Sequence, residues 1–215
     1  MPIAVIADII GSRRLDDRES AQRTLDDAIA ATERDFPLAT QPFRPTAGDE
    51  QQAIYDALEA ALAATLLLQL ALPDAVAFRF GFGIGALVPI PSAAGEIPEG
   101  PAWWAAREAI NTVHAMQRRA APSARAWVVG GADQTEGMPM SVPLANAYLL
   151  ARDQIVTAMS ERTRRLTYGR CLDRSQQDLA QSEGISQSAV SQALAGAGAS
   201  AIVEGFQSLT KRQAP

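Results

Sequence analysis

The stretch Arg79-Phe80-Gly81-Phe82-Gly83-Ile84-Gly85 places three glycines at alternate positions of a strand that we predict over residues 76–88. Alternate side chains of a strand point to the same face of the sheet. The three glycines therefore share one face, and a face without side chains predicts that another element packs closely against it.

Elements on both sides of this strand complete an α/β pattern, which hydrophobic periodicity and the positions of proline and glycine define. Before it, we predict a strand at 3–7, a helix at 16–36, a hairpin of 43–46 and 51–55, and a helix at 57–72. After it, we predict a loop at 91–98, a helix from 101 to about 120, a strand at 125–129 and one long helix at 144–166. The order βαββαβαβα predicts an α/β (α+β) sandwich of the ferredoxin-like kind with a mostly antiparallel sheet.

Residues 176–194, QQDLAQSEGISQSAVSQAL, have the pattern of a helix-turn-helix that binds double-stranded DNA. The small side chain of Ala180 lets two helices cross closely, and Gly184 supplies the tight turn. Ile185, Val190 and Leu194 are predicted to face the hydrophobic seam between the helices. The sequence therefore predicts a small all-α domain at the end of the chain.

Polar side chains of the second helix are the candidates for reading bases. Ser186 is a natural N-cap, which leaves several Gln and Ser residues outward, and Gln can pair bidentately with adenine. The candidate DNA-binding residues are Arg174, Gln176, Ser186, Gln187, Ser188, Ser191 and Gln192. The alternative is an ordinary helical hairpin with a Gln- and Ser-rich surface.

The distribution of charge favours DNA binding only near the C-terminus. Residues 1–159 carry 12 basic and 19 acidic side chains, giving −7, whereas residues 160–215 carry 7 and 5, giving +2. Five arginines precede the predicted motif and are expected to neutralise backbone phosphates: Arg162, Arg164, Arg165, Arg170 and Arg174. Because the second helix has no Lys or Arg, we expect a homodimer that reads two half-sites.

Length and composition suggest two cytoplasmic domains, at 1–159 and 160–215. The 215 residues are 47% hydrophobic and 20% charged, with no run long enough to span a membrane and no signal-peptide pattern. The single cysteine, Cys171, cannot form an internal disulfide or a zinc site, and we expect a half-buried thiol.

Two carboxylates are candidates for a metal site. Asp8 ends the first strand, and Asp49 lies at the tip of the predicted hairpin, so the two meet if these elements are neighbours in the sheet. Such a pair can hold Mg²⁺ that bridges phosphate oxygens, and Gly11-Ser12 offers backbone N–H groups to a phosphate. The alternative is that each aspartate only forms a turn or cap.

Four segments together resemble the palm domain of class III nucleotide cyclases. The segments have the order and spacing of that domain. They are Asp8-Ile9-Ile10-Gly11-Ser12, Ala47-Gly48-Asp49, the glycine-bearing strand at 79–85, and Gly100-Pro101-Ala102-Trp103-Trp104-Ala105-Ala106-Arg107. With the terminal helix-turn-helix, nearly the whole chain resembles the SatD family of bacterial proteins, whose biochemical role is poorly defined.

The resemblance implies roles for individual residues. Asp8 and Asp49 match the metal-binding aspartates, Ile9 matches the residue that lends a backbone carbonyl, and Arg107 matches the arginine that stabilises the transition state. The candidate nucleotide-binding residues are Gly11, Ser12, Arg13, Gly48 and Arg107.

Two departures from the cyclase pattern argue against efficient cyclisation. Trp103 stands where cyclases have an asparagine, and Pro45 stands where they have a base-reading lysine; Arg44 or Arg13 could substitute but are out of register. Losing one transition-state hydrogen-bond donor typically costs a factor of about 100 to 1000 in rate. His114, with no second His or Cys near it in the sequence, is not expected to be a ligand or general base.

The sequence thus predicts a transcriptional regulator whose degenerate cyclase-like domain binds a nucleotide or cyclic nucleotide with Mg²⁺. Two alternatives stay open: an active cyclase or related metal-dependent phosphoryl-transfer enzyme, and a palm domain that serves only for dimerisation.

Overall fold

The computed structural model describes residues 1–11, 17–46, 48–92, 95–131 and 141–211. The strands are β1 (Ile3–Ile9), β2 (Gln41–Pro45), β3 (Gln51–Tyr55), β4 (Phe78–Ile84), β5 (Val88–Ser92), β6 (Gly95–Glu99) and β7 (Ala126–Gly130). The helices are α1 (Arg18–Asp35), α2 (Leu58–Ala71), α3 (Pro101–Gln117), α4 (Ser141–Ala158), α5 (Glu161–Cys171), α6 (Gln176–Glu183), α7 (Gln187–Gly196) and α8 (Ala199–Thr210). No helix in these ranges is both long and apolar enough to cross a membrane.

Five strands form one sheet in the order β2-β3-β1-β4-β7. The central strand β1 is antiparallel to both β3 and β4, and only β7 runs parallel to its neighbour. The prediction of a mixed α/β fold with a mostly antiparallel sheet is therefore confirmed.

The predictions for residues 76–98 were wrong in part. The expected long strand ends at Ile84, and residues 91–92 and 95–98 of the expected loop belong to a separate hairpin of β5 and β6. Pro89 lies opposite Pro98, and Ile90 opposite Ile97. Proline cannot donate to a sheet, but a two-stranded hairpin has two outer edges where no donor is needed, so its prolines do not exclude strand structure.

The glycine-bearing face of β4 packs against α3, as expected. A Cβ added to Gly81 would lie 2.3 Å from the Ala106 carbonyl oxygen, and one added to Gly83 would lie 1.9 Å from that of Ala102. These approaches leave no room for any side chain larger than hydrogen. The helix backbone thus rests directly on the strand.

The opposite face of the sheet carries the main core, which α1, α2 and α4 cover. Phe78, Phe80 and Phe82 alternate with the glycines and are buried with Leu25 of α1 and Leu149 of α4. The strand therefore divides its residues by size, with aromatic rings on one face and glycines on the other.

Helix α4 also closes the free edge of β7. The side chain of Asn146 accepts a hydrogen bond from Val128 N at 2.8 Å and donates one to Val128 O at 3.0 Å. Asp153 Oδ2 accepts from the backbone N of Arg125 at 2.6 Å and of Ala126 at 2.9 Å. These side chains replace the partner strand that an edge otherwise lacks.

One long helix was expected at 144–166, and this was wrong. Helix α4 ends at Ala158 and α5 begins at Glu161, because Ser160 is extended and its hydroxyl caps α5 by accepting from Thr163 N. Met159 between them is buried. The break turns the chain and starts a bundle of four helices.

The helices α5 to α8 share a second core with α2. Leu66, Leu67 and Leu70 of α2 are buried with Val203 and Phe206 of α8. Other residues of α2, including Leu62 and Leu68, belong to the main core. The helix is therefore apolar on both sides and lies between the two cores. Cys171 is 3% exposed, more deeply buried than expected, and contributes to the second core.

Candidate functional site

The carboxylate of Asp8 lies near the end of β1 and is held by the neighbouring strand. Arg79 of β4 is its cross-strand partner, and Arg79 Nη1 donates to Asp8 Oδ1 at 3.2 Å and to Oδ2 at 3.0 Å. Arg79 Nε also donates to Gln117 Oε1 of α3 at 2.6 Å. Since Arg79 is only 9% exposed, it fixes the position of Asp8.

The negative charge of Asp49 affects the pKa of Asp8. Burial raises the pKa of the Asp8 carboxyl above its ordinary value, the Arg79 guanidinium lowers it, and the negative charge of Asp49 raises it again. Like charges that repel in this way are stabilised when a cation lies between them. The charge of Asp49 thus acts on Asp8, the other aspartate predicted to bind a metal.

The donor set fits a hard divalent cation only in part. A carboxylate offers about four lone-pair sites, so the two bonds from Arg79 leave Asp8 able to bind a cation. Within the described ranges, no group of three His, Cys, Asp or Glu residues could hold a metal ion. A Mg²⁺ ion here would need further oxygen ligands from the Ile9 carbonyl at the end of β1, from water or from a bound phosphate.

Asp49 lies in the turn between β2 and β3, next to a glycine with positive φ. Gly48 has φ +70°, and open space surrounds the position where its Cβ would lie. Thr46 N donates to Glu50 O at 2.9 Å and closes the turn. The expected hairpin is therefore present, with Asp49 at its tip.

Arg107 of α3 reaches the same turn. Its Nη2 donates to Glu50 Oε2 at 2.6 Å, and about half of the Arg107 side chain stays exposed. Neither Glu50 nor Arg79 was predicted from the sequence as part of this site. Glu50 could have been predicted, because it is next to Asp49 in the sequence. Arg79 could not, because its pairing with Asp8 depends on strand register.

Of the two residues that depart from the cyclase pattern, Trp103 has a structural role. The indole Nε1 of Trp103 donates to Pro98 O at 2.9 Å, which ties α3 to the hairpin of β5 and β6. Trp104 beside it is 73% exposed. Pro45 and Arg44 are exposed on β2, and His114 is exposed on α3.

Of the remaining predicted nucleotide-binding residues, the structure describes Gly11 alone. Gly11 follows β1 with φ +73°. Ser12 and Arg13 lie outside the described residues.

A second candidate site is the surface of α6 and α7. Ser175 caps α6 by accepting from Asp178 N, Gly184 ends that helix in the left-handed conformation with φ +65°, and Ser186 caps α7 by accepting from Ala189 N. Val190 and Leu194 point into the second core. The cap at Ser186 and the turn at Gly184 were predicted from the sequence, whereas the cap at Ser175 was not.

The outward face of α7 is polar and exposed. The exposed candidates for base contacts are Gln187, Ser188, Ser191 and Gln192. Ser186 is also exposed, and its Oγ lies 2.9 Å from Ser188 Oγ. Arg174 before α6 is exposed, whereas Gln176 is half-buried.

Three of the five arginines that were expected to neutralise phosphates have carboxylate partners. Arg165 pairs with Glu183 at 2.7 Å and with Glu161 at 2.9 Å, and Arg162 lies 3.8 Å from Glu183.

Arg164 is buried instead of exposed. It donates to Leu72 O at 3.0 Å and to Asp74 Oδ1 at 2.6 Å, and so ties α5 to the end of α2. Only Arg170 and Arg174 of the five have no carboxylate partner among the described residues.

Comparison with known proteins gives a family and a distant likeness in fold. The sequence model of the SatD family matches residues 2–204. One solved structure, "Crystal structure of the guanylyl cyclase Cya2", is similar over 52% of this chain and 70% of that chain, with 16% identity and a TM-score of 0.40. A likeness this weak carries no argument about function. No curated protein matches the chain.

Proposed function

This chain belongs to the SatD family, and we propose that it is a DNA-binding transcriptional regulator whose residues 1–159 bind a nucleotide or cyclic nucleotide with Mg²⁺. The observation that carries the proposal is the exposed polar face of α7, which follows a tight turn and a serine cap. A helix presented in this way can enter the major groove and read base edges.

The residues of α7 suit base recognition better than nonspecific binding. Gln187 and Gln192 are exposed amides that can each form two hydrogen bonds with adenine. Arg170 and Arg174 supply phosphate contacts beside the helix. With two such arginines per chain the electrostatic contribution is small, which supports recognition by two copies.

An apolar surface is available for joining two copies. Val88, Ile90 and Ile97 are 57%, 44% and 51% exposed on the hairpin of β5 and β6, and Trp104 is exposed at the start of α3. Exposed apolar side chains that lie together are typical of interaction sites. Ile97→Asp should therefore shift a dimer towards monomer in analytical ultracentrifugation, whereas an unchanged mass would exclude this surface.

The site of Asp8, Asp49 and Arg107 supports the nucleotide-binding part of the proposal. Its two carboxylates suit a divalent cation, and the exposed part of the Arg107 guanidinium suits a phosphate. Trp103 supplies no free polar group for the transition state, because its indole donates to Pro98 O. The site therefore supports nucleotide binding better than it supports catalytic turnover.

The DNA-binding proposal is tested by selecting bound sequences from random duplex DNA and measuring fluorescence anisotropy on those enriched. Gln187→Ala and Gln192→Ala should each weaken the enriched site about 5- to 150-fold, the equivalent of about 1–3 kcal/mol for a bidentate pair. Gln22→Ala on α1 is the matched control and should change nothing. If no sequence is enriched over random DNA, the proposal is wrong.

The nucleotide-binding proposal is tested by thermal shift with nucleoside triphosphates and cyclic nucleotides, with and without Mg²⁺. A ligand that binds the folded state raises the melting temperature by mass action, and the Mg²⁺-dependent rise should disappear in Asp8→Ala and in Asp49→Asn. The second variant matters because Asp8→Ala leaves Arg79 unpaired. If no nucleotide raises the melting temperature, the nucleotide-binding part of the proposal is wrong and only the DNA-binding part remains.

The second candidate function is an active cyclase or related phosphoryl-transfer enzyme. The electrostatic effect of Asp49 on Asp8 favours it, since a metal held between two carboxylates could bridge phosphate oxygens. It requires Mg²⁺- or Mn²⁺-dependent release of pyrophosphate from a nucleoside triphosphate, abolished in Asp49→Asn. Binding without release would rule it out.

A further inference from the structure

A cavity of about 170 Å³ lies where the sheet domain meets the C-terminal helices. Its wall includes Gln69 of α2, Phe78 of β4, Arg125 before β7, Val156 of α4 and Arg164 of α5. Phe78 points away from the face that carries Arg79 and Asp8, since neighbouring residues of a strand face opposite sides. The cavity is therefore separate from the carboxylate site.

Arg125 brings a positive charge to this cavity without a carboxylate partner in salt-bridge contact among the described residues. Its Nη1 donates to the carbonyl oxygens of Pro122 at 2.8 Å and Ala124 at 2.9 Å. Burial lowers the pKa of Arg125, the charge of Asp153 raises it, and Arg79 lowers it again. A half-buried cation whose partners are neutral carbonyls attracts an anion.

The nearby charges of Asp153 and Arg164 are already engaged. Asp153 accepts from two backbone N–H groups, from Arg152 and from Gln69. Arg164 is bound to Met159 O, Leu72 O and Asp74. The charged wall residues are thus Arg125, Arg164 and Asp74, and they leave one net positive charge.

Gln69 adds an unsatisfied acceptor on the same wall. Its Nε2 donates weakly to Asp153 Oδ1 at 3.4 Å, but its buried Oε1 accepts no hydrogen bond from the part of the chain that the structure describes. A buried acceptor without a donor is unfavourable. A ligand hydroxyl or N–H group would remove that cost.

We propose that this cavity binds a small organic oxyanion, with its carboxylate or phosphate on Arg125 and a donor group towards Gln69. The apolar wall formed by Leu72, Val76 and Val156 suits a short carbon chain. The volume is below the ~300–1,000 Å³ typical of sites for drug-sized ligands, so a nucleotide does not fit. The site is independent of the proposed nucleotide binding, and its ligand would contact both α5 and the end of α2.

The experiment is a thermal-shift titration of the full chain with sodium lactate, sodium acetate and inorganic phosphate, each against sodium chloride at equal ionic strength. Phosphate stabilises many proteins without binding, so the decisive quantity is the part of each shift that depends on Arg125. At about 100-fold excess over Kd the shift should be about 5 °C or more. It should be lost in Arg125→Gln and kept in Arg119→Gln, an exposed arginine outside the cavity.

A second variant keeps the test decisive if Arg125→Gln does not fold. Val156→Phe fills the cavity without removing a charge and should abolish the same shift. A larger shift with lactate than with acetate would assign a hydroxy acid, and a saturable shift with phosphate alone would assign a phosphate group. Equal shifts in the wild type, Arg125→Gln and Val156→Phe, or none beyond chloride, would overturn the proposal.

Discussion

Gly83 carries the closest approach between the sheet and a helix, and it yields the first prediction. Gly83→Ala places a methyl group against the backbone of Ala102, which cannot move without shifting α3. We expect a loss of about 3 kcal/mol or more in the free energy of unfolding, measured by urea denaturation. Gly196→Ala is the control, because nothing lies within 4 Å of its added Cβ. A Gly83→Ala protein as stable as the control would contradict the packing described here.

At the scale of residues, the sequence predicted which acidic groups could share a site but not what holds Asp8. Asp8 and Asp49 could be paired because each ends or connects a recognisable strand. Arg79 could not be assigned to Asp8, since their contact depends on the register between β1 and β4, which lie 71 positions apart at this pair. Local patterns contain no information about such register.

At the scale of elements, the closure of β7 by α4 yields the second prediction. Asn146→Ala removes the partners of both backbone polar groups of Val128, and each unpaired buried group costs about 1–3 kcal/mol. We expect a loss of about 2–4 kcal/mol in the free energy of unfolding, measured by urea denaturation. Asn111→Ala on the exposed side of α3 is the control and should cost less than about 0.5 kcal/mol. Equal losses would mean that water replaces Asn146 at the edge.

The ion pair between α5 and α6 yields a prediction about pH. Hydrogen bonds from Arg165 lower the pKa of Glu183, so the pair stabilises the fold above the ordinary value of 4.5 and is lost as the pH falls through the lowered pKa. Glu183→Gln should cost about 0.5–1 kcal/mol at pH 7, because almost half of the Arg165 side chain is exposed and solvent screens the pair. The difference from wild type should shrink below pH 4.5.

The control for this experiment is Glu204→Gln on α8, an exposed acid without an ion pair among the described residues. Urea denaturation at neutral and acidic pH measures both variants. A cost for Glu183→Gln that is the same at both pH values would show that the side chain acts through packing alone.

Elements with strong periodicity were predictable, and elements defined by local capping or by isolated hairpins were less so. The bounds of β3 and of α2 follow from apolar runs between turn residues. The break between α4 and α5 was missed because both sides are helical in composition, although Ser160 is a recognisable cap. The hairpin of β5 and β6 was missed because prolines usually indicate loops.

At the scale of the whole molecule, α2 makes the two cores depend on each other, which yields the fourth prediction. All three tryptophans, Trp103, Trp104 and Trp127, lie before residue 160, whereas circular dichroism reports the helices of both parts. If α2 couples the cores, tryptophan fluorescence and circular dichroism should show coincident unfolding in urea. Leu67→Ala should shift both curves together by about 2–5 kcal/mol. Two separate transitions would mean that the halves fold independently.

Length and charge predict a division near residue 160, which stays a prediction, but they do not predict that two cores share one helix. Helix α2 is apolar at almost every position from Ala60 to Leu70, which is typical of a buried helix. A helix buried on all sides can equally serve two cores. The sequence of α2 does not distinguish these arrangements, because the second partner lies about 100 residues further along the chain.

The position of α2 also restricts how this architecture can be recombined. A chimera that joins α5 to α8 to an unrelated sensor would leave their inner surface without Leu66, Leu67 and Leu70. A transferable unit must therefore bring a helix with these side chains from its new host. Gene fusions in which only residues after 160 are exchanged should fail unless the acceptor helix supplies the same apolar surface.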